Sequence, residues 1–285
     1  DILANKVSVA VFATDALETS GASYAGADDI ASAQATLEAV DSTGTSVANA
    51  QNEVNNSFNT GSETLTLTTN ADVLGPDATN AASQTTDGDD TIFANEDAAL
   101  SSADIIDGAD GTDELYSVQA TADADETLEP VTSNVENVYI DVNADATAPR
   151  TFTFDGASST GLAQVWSNDH SGSTDTDEDT FEVTNVSTDV TVGIKEGDGE
   201  YNVTAAFSGV TGASDVAAIA LSEAAVDTVT VADVETINIS NSDDDSTVQT
   251  LTAAAMTALN ITGTDDVTVA NAIDFANADD ADAID

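Results

Sequence analysis

The 285-residue chain has no cysteine, three prolines, one tryptophan, one methionine, and only three lysine and arginine residues. Without cysteine there is no disulfide framework and no thiolate metal site, so a chain working outside the cell must take its rigidity from elsewhere, bound metal being the usual substitute. Lys6, Arg150 and Lys195 cannot assemble a basic patch, which excludes nucleic acid as a partner and disfavours an anionic membrane surface. No apolar run approaches the ~18 residues of a membrane span, so membrane insertion is not expected. The chain opens at Asp1 without an initiator methionine or a signal-like segment, which reads as a processed chain or a portion of a longer one.

Negative charge is what the chain has in excess. Fifty-four Asp and Glu give a net charge of −51. Charges so dense lie within one Debye length of each other, about 8–10 Å at ordinary ionic strength, and oppose a compact state unless cations neutralise or screen them. Acidic chains are often disordered. Here the hydrophobic fraction is 41%, set in short Val, Ile, Leu and Phe runs among threonines, which is enough to bury a core.

Residues 1–60 read as a helical segment. Leu3, Val7 and Val11 recur at helical spacing, Ile30, Ala33, Leu37 and Val40 share a face behind Asp28-Asp29, and Ser46 to Asn55 suits a third short helix. These helices are expected to form a small bundle covering one end of a larger body. From Glu63 the period changes to two: Thr64 to Thr68, Thr151 to Phe154 and Thr228 to Val231 alternate, with further strands at Val138 to Val142, Phe181 to Val183, Val190 to Ile194, Tyr201 to Ala205 and Ile237 to Ser240. Turn residues separate them. The segment Asn134-Val135-Glu136-Asn137-Val138-Tyr139-Ile140 is echoed by Asp233-Val234-Glu235-Thr236-Ile237-Asn238-Ile239. Many short strands and an internal repeat predict a mainly β chain, a parallel β-solenoid preceded by the helical segment, with tandem β-sandwiches as the alternative. Residues 61–200 form one β-repeat module and 201–285 a second, truncated one.

The motif that best carries chemistry runs from Asp104 through Asp107-Gly108-Ala109-Asp110-Gly111-Thr112-Asp113 to Leu115. Against the calcium nonapeptide G-G-x-G-x-D-x-U-x it matches at Gly108, Gly111, Asp113 and Leu115, with Ala109 in place of the second glycine. Upstream, Asp87-Gly88-Asp89-Asp90-Thr91-Ile92 matches the second half of the template. Glycines expose backbone carbonyls at such a turn, the aspartate adds a hard anionic oxygen, and the apolar residue anchors the next strand. Any single Asp-Gly merely makes a turn; two successive copies, each entering a strand, point to Ca²⁺. A weaker run, Asp175, Asp177 and Asp179, places three carboxylates on one face of a strand, where a shared cation or a salt-screened loop would relieve the repulsion. His170 reads as an exposed loop histidine, Trp166 as a core residue near Phe152 and Phe154, and no nucleophile elbow is present, so an enzyme is not expected.

Several segments resemble bacterial surface-layer (S-layer) proteins and related RTX-like β-strand-repeat proteins. They are "LANKVSVAVFATDAL", "ETLTLTTNADVLGP", "GDDTIFA", "ADIIDGADGTDEL", "SNVENVYID", "ADVETINIS" and "ALNITGTDDVTV", in that order. The resemblance implies a largely parallel β-solenoid, type I secretion to the bacterial cell surface, and calcium-dependent assembly of copies of the chain into a lattice or filament. Calcium positions implied by it are Asp90, Asp107, Asp110 and Asp113. It also implies anchoring to cell-surface polysaccharide by a region preceding residue 1. The expected function is therefore a self-assembling structural subunit, with an adhesin or matrix stalk, or the β-region of an exported hydrolase, as alternatives.

Overall fold

A computed structural model describes residues 2–20, 27–58, 61–76, 78–120, 125–143, 149–171, 179–197, 201–271 and 273. Asp175 and Asp177 lie outside the described residues. From Thr64 onward the chain is a parallel β-solenoid. Its strands alternate between faces turn after turn and, among the described residues, pair in parallel register, unlike the antiparallel strands of tandem sandwiches. One face is a nine-stranded sheet and a second a seven-stranded sheet; a four-stranded sheet adds a third face to the first coils only. In the first column that staples one coil to the next, contacts span 27 and then 23 residues, and near the other end 20.

Alternation explains the core. Along Tyr201–Phe207 every second residue is buried, and the same holds along Asn137–Asn143 from Val138 to Val142. Register stacks the inward residues into columns: Leu65, Ile92, Leu115, Val138, Val165, Val192, Ile219, Ile239 and Ile261 stand one per coil on the nine-stranded face. All are buried except the last, Ile261, which is 45% exposed. Opposite them Phe152 and Phe181 stack at 5.9 Å. Each such side chain contributes about 1.5–3 kcal/mol on full burial. One core cluster runs from Leu65 to Met256.

The helices are Ile2–Ser20, Ala27–Ala39 and Gly44–Phe58. Lys6 Nζ donates to the carbonyls of Leu37 (2.5 Å) and Glu38 (3.4 Å), capping the second helix where its dipole favours a cation. Val9, Val40 and Ala50 form a small core separate from that of the solenoid. The helical spacing of Leu3, Val7 and Val11 lies on the outward face of the first helix, Leu3 being 73% exposed, while Val9 is buried.

Two further expectations are corrected. Trp166 does not join Phe152 and Phe154 in the core. It closes an external ladder of one aromatic per coil, Phe93, Tyr116, Tyr139 and Trp166, with ring centroids 5.5, 4.7 and 6.2 Å apart. His170 is not exposed. It is buried in the strand Gln164–Ser171, stacked on Tyr201 at 4.3 Å and 6°, with Nε2 4.0 Å from Asp179 Oδ2.

Candidate functional site

The acids of the two Asp-Gly motifs meet at one corner of the solenoid, where each coil enters the nine-stranded sheet. The residue before each strand there is Glu63, Asp90, Asp113 and Glu136 in successive coils. The carboxylates of Asp90, Asp113 and Glu136 each accept the backbone N–H of the counterpart one coil earlier: Glu63 N to Asp90 Oδ1 (2.7 Å), Asp90 N to Asp113 Oδ1 (2.7 Å) and Asp113 N to Glu136 Oε2 (2.8 Å). The acids therefore staple coil to coil. A charge-assisted bond to a backbone donor is roughly twice as strong as a neutral one, and it satisfies an N–H that the parallel ladder leaves over at the corner.

Asp90 is fully buried, and its Oδ2 also accepts the N–H of Thr86 at 2.7 Å. Asp104 repeats the device where coils enter the four-stranded sheet: buried, it accepts from Asp72 N through Oδ1 and from Ser101 N through Oδ2, each at 2.7 Å. Asp179 does so at the seven-stranded sheet, with Oδ1 accepting from Arg150 N at 2.7 Å. Asp107 Oδ1 receives Asn134 Nδ2 at 2.8 Å, Asp89 Oδ1 receives Thr112 N at 2.8 Å, and Asp110 is exposed.

Asp113 differs from these. It is fully buried, Oδ1 serves as the staple, and Oδ2 has no hydrogen-bond partner. It faces Gly108, whose Cα packs so tightly that a Cβ there would strike both Asp113 Oδ2 and the Asn134 carbonyl oxygen. Burial, followed by the charges of Asp90, Glu136 and Asp89, pushes its carboxyl up to about 7. Half-buried Asp87 is also raised, by burial and then by Asp110 and Asp90. Asp113 thus lies in the field of Asp90, Glu136 and Asp89, Asp87 lies in that of Asp110 and Asp90, and the buried Oδ2 of Asp113 lacks a donor. All of these donors are oxygen, which suits a hard cation such as Ca²⁺. Among the described residues no three His, Asp or Glu side chains are already drawn together as a metal group.

The turn chemistry bears on Ala109. It sits at φ 75°, next to Gly111 at φ 124°, whose Cα lies against the Gly88 carbonyl. The left-handed conformation costs an L-residue about 1–2 kcal/mol, and glycine gives back about 0.4–1 kcal/mol through the unfolded chain. Ala109→Gly is expected to stabilise the protein by roughly 0.5–1 kcal/mol, read from the urea midpoint. An unchanged or lower midpoint would contradict this account of the turn.

Glu63, Asp72, Glu136 and Glu235 belong to the same machinery and were missed as functional acids in the sequence. Their signal is position, an acid immediately before an alternating strand; at Asp72, as at Asp90 and Asp104, a Ser or Thr three or four residues earlier (Thr68, Thr86, Ser101) also donates to it. The repeated segments Asn134 to Ile140 and Asp233 to Ile239 are two copies of this corner. Asn134 (φ 52°) and Asp233 (φ 57°) turn the chain, Val135 and Val234 are buried, and Glu136 and Glu235 accept Asp113 N and Asp215 N.

Elsewhere, a shallow groove beside the last strand of the four-stranded sheet is lined by small neutral residues, including Gly156, Ser159, Asn185 and Ser208. No helix among the described residues is long and apolar enough to cross a membrane. In comparisons with known proteins, no family model, no curated protein and no solved structure matches the chain.

Proposed function

We infer that the chain is a structural, self-assembling subunit of an extracellular layer or filament on a bacterial surface, with calcium stabilising its coils. One observation carries most of this reading: the buried, unpartnered Oδ2 of Asp113, in the field of Asp90, Glu136 and Asp89 at a coil corner. A proton or a cation relieves that corner, and at neutral pH outside a cell calcium is the abundant candidate. Asp113, Asp87, Asp89 and Asp110 are the residues that would hold it, supplying anionic oxygens beside exposed turn carbonyls. Copies at −51 each need counter-ions between them before their surfaces can touch, so assembly follows the divalent cation and not ionic strength alone.

Extracellular calcium modules bind at about 10⁻⁴–10⁻³ M, so a tenfold excess adds roughly 1.4 kcal/mol per site. Light scattering and negative-stain microscopy at constant ionic strength, exchanging sodium for calcium, test the reading. Ordered arrays or filaments in millimolar calcium that disperse in chelator are expected. A chain that neither melts higher nor assembles in calcium would sink it. A monomer that binds a glycan surface would favour the stalk.

A further inference from the structure

The outer face of the nine-stranded sheet has a feature that the acid corner does not explain. Along one outward column, register places Thr66, Phe93, Tyr116, Tyr139, Trp166, Gly193, Ala220, Ser240 and Thr262, one per coil. The second to fifth coils form an aromatic ridge, and the sixth to ninth a furrow of small side chains. Trp166 leans over Gly193, where a Cβ would strike its ring, so the ridge ends at the middle of the column. Thirteen Phe, Tyr and Trp residues serve the whole chain, and four of them stand in this one line outside the core.

We propose that this face is the contact of a two-fold dimer, in which the aromatic ridge of one copy lies in the small-residue furrow of a second copy. A two-fold axis in the sheet plane, parallel to the strands and passing between Trp166 and Gly193, reverses the order of the coils. It sets Phe93 against Thr262, Tyr116 against Ser240 and Tyr139 against Ala220 of the other copy, and brings the two Trp166 rings, each lying over its own Gly193, together at the axis. Away from the axis each large side chain meets a small one, and at the axis the two Trp166 rings meet each other, so the patch is complementary to itself as an isologous interface requires.

Charge supports the same pairing. On a chain in which nearly one residue in five is acidic, the two flanking columns of this face carry only Glu114, Asp141, Asp169 and Lys195. Under this two-fold Glu114 meets Asn238, Asp141 meets Ser222, and Lys195 meets Asp169. No acid opposes an acid. Two chains at −51 could hardly find a less repulsive surface.

The area is sufficient. Nine strands at about 4.8 Å, each presenting about five residues at 3.3 Å, offer roughly 700 Å² per copy and ~1,400 Å² in all, within the ~1,200–2,000 Å² of a stable interface. Aromatic residues are also the type enriched at the energetic centre of interfaces.

The inference names one contact of the proposed self-assembly and rests on that reading only in making the partner a second copy. Because the face holds no acid pair that needs bridging, the dimer should persist in chelator, where calcium-dependent arrays disperse.

Sedimentation equilibrium of the full chain in chelator, with about 1 M salt to shorten the Debye length to ~3 Å, is the test. A concentration-dependent dimer is expected. Tyr116→Ser should weaken it by about tenfold or more, as should Ser240→Tyr, which plugs the exposed furrow. The double variant Tyr116→Ser/Ser240→Tyr exchanges ridge and furrow at facing positions and should dimerise again. Circular dichroism checks that each variant keeps the solenoid. A wild-type monomer under these conditions, or a double variant no tighter than the single ones, overturns the dimer. Arrays that still form in calcium would then leave the lattice reading standing, whereas a dimer without arrays would leave only the dimer.

Discussion

Asp90→Ala is expected to cost about 3–5 kcal/mol, whereas Asp89→Ala should cost under ~1 kcal/mol, although both remove one negative charge from the same turn. The two relieve the same long-range repulsion, so the difference isolates the staple. Asp90 is buried, and its loss strands the buried N–H of Thr86, where water does not replace the acceptor, and breaks the partly buried staple from Glu63 N. An unsatisfied buried donor costs about 1–3 kcal/mol. Asp89 is exposed and accepts one bond, from Thr112 N, which water can supply instead. In a solenoid each coil contacts only its neighbours, so the damage should centre on the coils joined by Glu63, Asp90 and Asp113. Hydrogen exchange would register it as faster exchange at Glu63 and Thr86, with amides near Val229 and Ile239 nearly unchanged. Equal destabilisation by the two substitutions would mean that the acids act as a diffuse cloud of charge.

The strands were legible because each is a short β-branched run with one buried face, and alternation reports that directly. Thr151–Asp155 and Tyr201–Phe207 are examples. What alternation does not report is parity after an irregularity. Val165 is inward, so His170, five residues on, should point out. A register shift between Ser167 and Asp169 adds one residue, turning His170 inward onto Tyr201. Trp166 follows the unshifted parity and is outward, but aromatic content had suggested a core. Its partners Tyr139 and Tyr116 are coil neighbours, invisible until register is known. The acids posed a different difficulty. An aspartate that accepts backbone N–H groups from the adjoining coil and one that awaits a cation sit in the same Asp-Gly surroundings. Only the stacking of coils separates Asp90, whose two oxygens are both engaged, from Asp113, which has one to spare.

That spare oxygen makes stability depend on pH in a direction unusual for a protein carrying paired carboxylates. In the folded state Asp113 titrates at about 7, above the 3.8 it has when unperturbed. Between those values the folded chain holds a proton that the unfolded chain has released. Stability therefore falls as pH rises from about 4 to 7, by at most roughly 1.4 kcal/mol per pH unit, and levels off above. Asp87 and Glu126, both raised chiefly by burial, push the same way. In chelator at fixed ionic strength the melting temperature should accordingly drop between pH 5 and pH 8. Asp113→Asn keeps an acceptor for Asp90 N but cannot ionise, so it should flatten much of that slope and melt above wild type at pH 8. Calcium should reverse the order. The ionised carboxylate is the form that binds a metal, so millimolar calcium at pH 8 should raise wild type and leave Asp113→Asn nearly unmoved. The crossing of the two melting curves on adding calcium is the measurement that matters. If calcium raises both proteins equally, the cation acts elsewhere on the acidic surface, and Asp113 is a buried acid that simply keeps its proton.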